Sequence, residues 1–233
     1  MNFDLRSTTY KVFQILIPVV IWTMFAGISF KQYFSSSSLI MILILEIFYS
    51  ILVNQMFVKD PNLLLGIILD VVSSILVINL ASSIGMFNIS LIIMGIILAN
   101  CLIFTDLVNE PHCAWIIYSL ISGPGLVFAI MIVDNHFLSI LNLSFLTLLI
   151  FINALFTFPL FMATPNWTFT LSIAVITIIL ATSIIPSAAK IVGLVILIGI
   201  FLFLQFSLKA NQFKQKSNIA ITLSLLSTIV LFI

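Results

Sequence analysis

SLIMILILEIFYSILVNQMFV, residues Ser38 to Val58, is the stretch whose reading decides the fold. A helix needs about 20 apolar residues to cross the hydrocarbon core of a bilayer, and this run has that length. Inside hydrocarbon every backbone N–H and C=O must find a partner within the protein, which leaves helices and closed barrels as spanning structures. A barrel strand would alternate apolar and polar positions over about 10 residues. This run is apolar on every side, so it reads as a spanning helix. Its one charge is Glu46.

The rest of the chain has the same character. Of 233 residues, 63% are hydrophobic and 6% charged, against about a quarter charged in soluble globular proteins. So few charges cannot cover a water-facing surface, and the solvent implied is lipid. With net charge +1 and a single arginine, Arg6, the basic footprint of a nucleic-acid binder is missing. Two cysteines, Cys101 and Cys113, make neither a disulfide framework nor a Cys-x-x-Cys pair.

Short polar breaks divide the chain into apolar runs at 12–30, 38–58, 63–81, 88–106, 114–133, 137–158, 167–184, 191–208 and 219–233. The expectation is an all-α, polytopic bundle of about nine spans in a single integral membrane domain, 1–233. The count falls to eight if 219–233 lies at the interface. Pro186 leaves open whether 167–208 forms one span or two. The first run is long for a signal-peptide core and no A-x-A site follows it, so it reads as a retained span. Cytoplasmic loops carry excess Lys and Arg. Threading the N-terminus inside puts Arg6, Lys11, Lys59, Lys209, Lys214 and Lys216 on the cytoplasmic face, and only Lys31 and Lys190 opposite. Trp115 and Trp167 open runs, where interfacial Trp residues sit.

Asp70 is the sharpest candidate for chemistry. At about 1.5 Å per residue it lies roughly 12 Å beyond the loop at Asn62. A carboxylate at mid-helix costs about 2.5–3.5 kcal/mol to insert, and intramembrane acids mark ion and substrate pathways by default. Glu46 lies roughly 19 Å deep counted from Lys59. Asn54 and Ser50 stand at depths that would bridge Glu46 to Asp70 along one polar track. The competing structural reading makes each acid a hydrogen-bonded contact between helices. Asn79, Asn100, Asn142 and Asn153 read as amide glue between helices.

"SGPG", Ser122 to Gly125, interrupts the fifth run. Pro124 removes a helix hydrogen bond and its glycines loosen the backbone. Such a break either exposes backbone to a substrate or is an ordinary kink. "DLVNEPHC" sets Asp106, Glu110 and His112 close together. A continuing helix would put Asp106 and Glu110 on one face. Carboxylate plus imidazole suits acid–base work, and a loop between spans is also where polar residues belong. Asp134 and His136 follow the next run, on the opposite face of the membrane. Lys190 is expected to snorkel to the surface.

No catalytic set, metal site or cofactor is assigned. A Walker motif, a His-Glu-x-x-His zinc motif and the Asp-rich repeats that hold magnesium diphosphate are all missing from the sequence. The expected function is a small membrane transporter or permease subunit, coupled to protons or cations through Asp70 and Glu46, with Asn54, Ser122 and Pro124 on the pathway. The alternatives are a membrane-embedded enzyme acting on a lipid or isoprenoid at Asp106, Glu110 and His112, and a non-catalytic partner of the immunity type. The expected surroundings are the bilayer of the cell membrane and other membrane subunits.

Overall fold

The computed structural model describes residues 5–57, 61–105, 109–162, 166–207 and 217–232. Helices account for nearly all of them, and none lies in a strand. They are α1 (Leu5–Ala26), the single turn α2 (Phe30–Tyr33), α3 (Ser37–Asn54), α4 (Leu63–Ile84) and α5 (Met86–Phe104), then α6 (Pro111–Ser122), α7 (Val127–Asn135), α8 (Ile140–Phe161), α9 (Trp167–Ile184), α10 (Ala188–Ser207) and α11 (Ser217–Phe232). A 3-10 turn, Gln55–Phe57, extends α3.

The ends follow local chemistry. Asn62, Ser139 and Asn166 cap α4, α8 and α9, each accepting a backbone N–H from the first turn. Pro111 opens α6 at a position where the missing N–H costs nothing. Gly85, at φ 84°, is the whole link between α4 and α5; only glycine takes that conformation without strain.

Seven segments are long and apolar enough to cross a membrane: α3, α4, α5, the α6–α7 pair taken together, α8, α9 and α10. The chain is thus an all-helical, multi-pass integral membrane protein. The apolar parts of α1 and α11, Val12–Ala26 and Ile219–Phe232, are shorter. Trp167 to Ser207 holds two helices, with Pro186 in the gap. The first helix stops at Ala26 instead of running on to Phe30, because the chain turns at Gly27. The fifth run is two helices, broken at 123–126.

Burial separates centre from rim. About 61% of the α6–α7 segment and 56% of α8 is buried, against 28% of α4 and 22% of α10. α1 packs on α3, α7 and α11, and α8 on α6, α9 and α11. α4 and α5 form one flank, α4 packed on α3 and α7 and α5 on α3 and α6; α9 and α10 form the other. The rim faces outward with apolar side chains, among them Ile67, Val71, Ile75 and Ile78 on α4 and Val192, Ile196 and Phe203 on α10. That is a surface made for hydrocarbon. Helices α3 and α4 make an antiparallel hairpin, tied by Ser38 Oγ to Ser83 Oγ (2.8 Å) at one end and by the Asn62 N–H to Gln55 Oε1 (3.1 Å) at the other.

Candidate functional site

Glu46 is completely buried, on the face of α3 turned toward α1 and α2. The Tyr33 hydroxyl donates to Glu46 Oε2 at 2.7 Å. Thr23 Oγ1 lies 3.1 Å from the same Tyr33 oxygen and 2.8 Å from the Val19 carbonyl. Oε1 of Glu46 has no hydrogen-bond partner. The short helix α2 packs on α3 and carries Tyr33 against it, where it too has no exposed surface. Burial, and the Glu46 carboxyl beside it, push the Tyr33 phenol well above its ordinary range, so it keeps its hydrogen.

Asp70 stands on the other side of the α3–α4 hairpin. Asn100 on α5 donates its Nδ2 to Asp70 Oδ1 at 2.9 Å and shares it with the Ile96 carbonyl. The pair sits in the wall of a groove of about 670 Å³ between α4 and α5, lined otherwise by Ser74 and by apolar side chains from Val77 to Ile97. Asp70 is half-buried. A single polar track from Glu46 to Asp70 does not form. Ser50 Oγ donates to the Ile15 carbonyl (2.8 Å), and Asn54 Nδ2 donates to the carbonyls of Gln14 (3.0 Å) and Ser50 (2.8 Å). Both bind α3 to α1, on the face away from Asp70. The depths read from sequence place these residues at the right level but not on the right side of the helix. Asn100 was recoverable: Asp70 and Asn100 lie equally far on either side of Gly85, so a tight hairpin sets them level.

The Ser-Gly-Pro-Gly break is plugged. Trp22 on α1 donates its indole N–H to the carbonyls of Ser122 (3.0 Å) and Gly123 (3.1 Å). Tyr49 on α3 donates to the Ile121 carbonyl at 3.3 Å. Carbonyls left open where α6 ends are thus held by side chains of two neighbouring helices. Beside the break lies a cavity of about 30 Å³, lined by Pro18, Trp22, Ser122, Asn153 and Ser224 among others. Asn153 Nδ2 and Ser224 Oγ have no hydrogen-bond partner, so the cavity has the size and polarity of a water site.

The polar loop before α6 is not assembled in the way a continuing helix would assemble it. α5 ends at Phe104 with Thr105 as its cap, and Glu110 is the N-cap of α6; Asp106 lies outside the described residues. Glu110 and His112 are exposed. Among the described residues no group of three or more His, Cys, Asp or Glu side chains is placed to hold a metal. His136 caps α7 in a left-handed conformation, beyond a full α6–α7 span. Lys190 does not simply reach for the surface: its Nζ donates to the Leu231 carbonyl at 3.0 Å, at the C-terminal end of α11, where a cation is favoured. Trp115 is also inward, 6% exposed, donating to the Ala154 carbonyl at 2.9 Å.

Compared with protein-family models, with curated proteins and with solved structures, the chain matches none.

Proposed function

We propose that the chain is a small membrane transport protein of the cell membrane, in which Asp70 meets the transported species in the α4–α5 groove. Glu46, in its separate buried site, is the group that carries the coupling proton. In this reading α1 and α11 also cross, making nine spans with the N-terminus cytoplasmic, and further membrane subunits pack against the apolar rim.

One observation carries the reading: the Asp70 carboxyl, two turns into a rim helix, gives Oδ1 to Asn100 across the helix contact and also lines a groove. A purely structural acid would have its oxygens tied off between helices, as amide glue does. The enzyme reading has less support, because Glu110 and His112 are exposed loop-end residues without a third partner among the described residues.

The test is proton movement in liposomes holding the purified protein and an internal pH dye, challenged with a panel of cationic, neutral and anionic amphiphiles. At least one class should drive a proton flux that Asp70→Asn abolishes and Glu46→Gln uncouples, while both variants insert normally. A flux from no class, or an undiminished flux in correctly inserted Asp70→Asn, overturns the proposal.

A further inference from the structure

The α4–α5 groove is chemically lopsided. Its polar groups, Asp70, Asn100 and Ser74, cluster toward one end; Val77, Ile78, Ala81, Met86, Ile89 and Ile93 line the rest. Asn100 occupies Asp70 Oδ1, and Oδ2 has no hydrogen-bond donor among the described residues. The ring of Phe104 lies against Gly66, one turn before Asp70, where even a methyl group would meet it at 2.7 Å. From there the groove runs toward Met86 and opens sideways, since Ile78, Met86 and Ile97 are all exposed on the lipid-facing rim.

We propose that this groove binds a single-chain amphiphile with a protonated amine head, the ammonium on Asp70 Oδ2 and the chain along the isoleucine wall. This deepens the transport reading of Asp70 and rests on it only for the fate of the ligand. Head chemistry follows from charge. An anionic head is repelled by the carboxylate. A hydroxyl head offers one hydrogen bond but leaves the charge without a counter-ion in a low-dielectric wall, where an unpaired charge is costly. An ammonium offers both charge and N–H donors. Tail chemistry follows from length. Asp70 to Ala81 spans roughly 16 Å of helix, about half of the roughly 30 Å hydrocarbon core. That suits an alkyl chain anchored part-way down the membrane and is too short for a spanning helix of a partner. The volume is within the usual range of small-molecule sites.

The experiment measures radiolabelled dodecylamine bound to purified protein in phosphatidylcholine nanodiscs. The expected result is saturable binding, displaced by unlabelled alkylamine and not by dodecanol or dodecanoate at equal membrane concentration. Asp70→Asn should weaken it by at least about tenfold, the scale of losing one partner of a desolvated charge pair. Ala81→Trp, which fills the groove and leaves Asp70 in place, should abolish it. Melting temperature and size in detergent check that each variant is folded, and Ile93→Trp replaces either one that is not. Equal displacement by dodecanol, unchanged binding in Asp70→Asn, or efficient Ile78→Cys cross-linking between two copies, which would mean a second chain covers the groove, each overturns the proposal. Amine binding as described, with normal proton flux in Asp70→Asn, retains this inference and removes the transport reading. Flux that needs Asp70 without amine binding does the reverse.

Discussion

At Glu46 the hydrogens can be counted. Three contacts link Glu46, Tyr33, Thr23 and the Val19 carbonyl, and the two hydroxyl groups supply two hydrogens. With Tyr33 donating to the carboxylate, Thr23 must divide one hydrogen between Tyr33 and Val19. Tyr33 needs only an acceptor oxygen at position 46. A glutamine keeps one there. Glu46→Gln is therefore expected to hold stability within about 1 kcal/mol of the parent, whereas Glu46→Ala leaves a void and a hydroxyl without its partner, at about 1–3 kcal/mol. Thermal unfolding in one detergent checks both; a Gln variant as unstable as the Ala variant would mean that Tyr33 needs the carboxylate itself and not merely an acceptor oxygen. Glu46 itself was legible as the odd carboxyl in an apolar run, but its partners were not. A helix apolar on every side carries no periodicity to say which face turns inward, so the sequence sets a level for Ser50 and Asn54 and no direction. Tyr33 was hidden for another reason: it sits in a polar break, where sequence reading expects solvent.

Among the elements, the broken α6–α7 segment is the one that others are built around. Pro124 between two glycines announced the break. Nothing local announced that Trp22, 100 residues earlier, would fill it. Gly125 takes φ +46°, and a Cβ there would lie 2.0 Å from the Trp22 ring. Gly123 brings the end of α6 against the backbone of α8, its absent Cβ 3.1 Å from Ile150 Cα. Close backbone approach through small residues is how membrane helices gain packing where hydrocarbon supplies no hydrophobic drive. Gly125→Ala thus adds a methyl group where the ring lies, and a left-handed backbone costs about 1–3 kcal/mol in itself. Trp22→Ala also destabilises, by stripping the donor from two carbonyls. The two losses share a cause, so the double variant should be less destabilised than their sum, by more than about 0.5 kcal/mol. Additive melting-temperature losses would show that Trp22 and Gly125 act independently.

For the whole molecule, hydropathy gave the helices because hydrocarbon thickness imposes a length on any span, and α3 through α10 follow the apolar runs to within a few residues. Neighbour relations were less legible, since rim and centre are equally apolar. What marks the centre is small and hydroxyl-bearing residues facing inward, such as Ser119 on α6 and Thr157 on α8, a weaker signal than charge. The threading rests on the basic residues, six against two, and it makes a prediction for every loop. In a variant without Cys101 and Cys113, single cysteines at Ser35, Asn135 and Ala188 should react from outside the cell with a membrane-impermeant maleimide. Cysteines at Asn62, Asn109 and Asn166 should react only after permeabilisation. The contrast between Asn166 and Ala188 tests α9 as a full crossing on its own. The contrast between Asn2 and Ser35 tests α1, whose apolar part is short for a span yet is packed against α3, α7 and α11 at the centre of the bundle. Its depth is made up by burial in protein instead of by contact with lipid, so Asn2 should be shielded and Ser35 labelled. Both sites shielded until permeabilisation would leave α1 at the cytoplasmic face and invert the assignment of every loop after it; both labelled from outside would leave α1 at the outer face and move only the N-terminus.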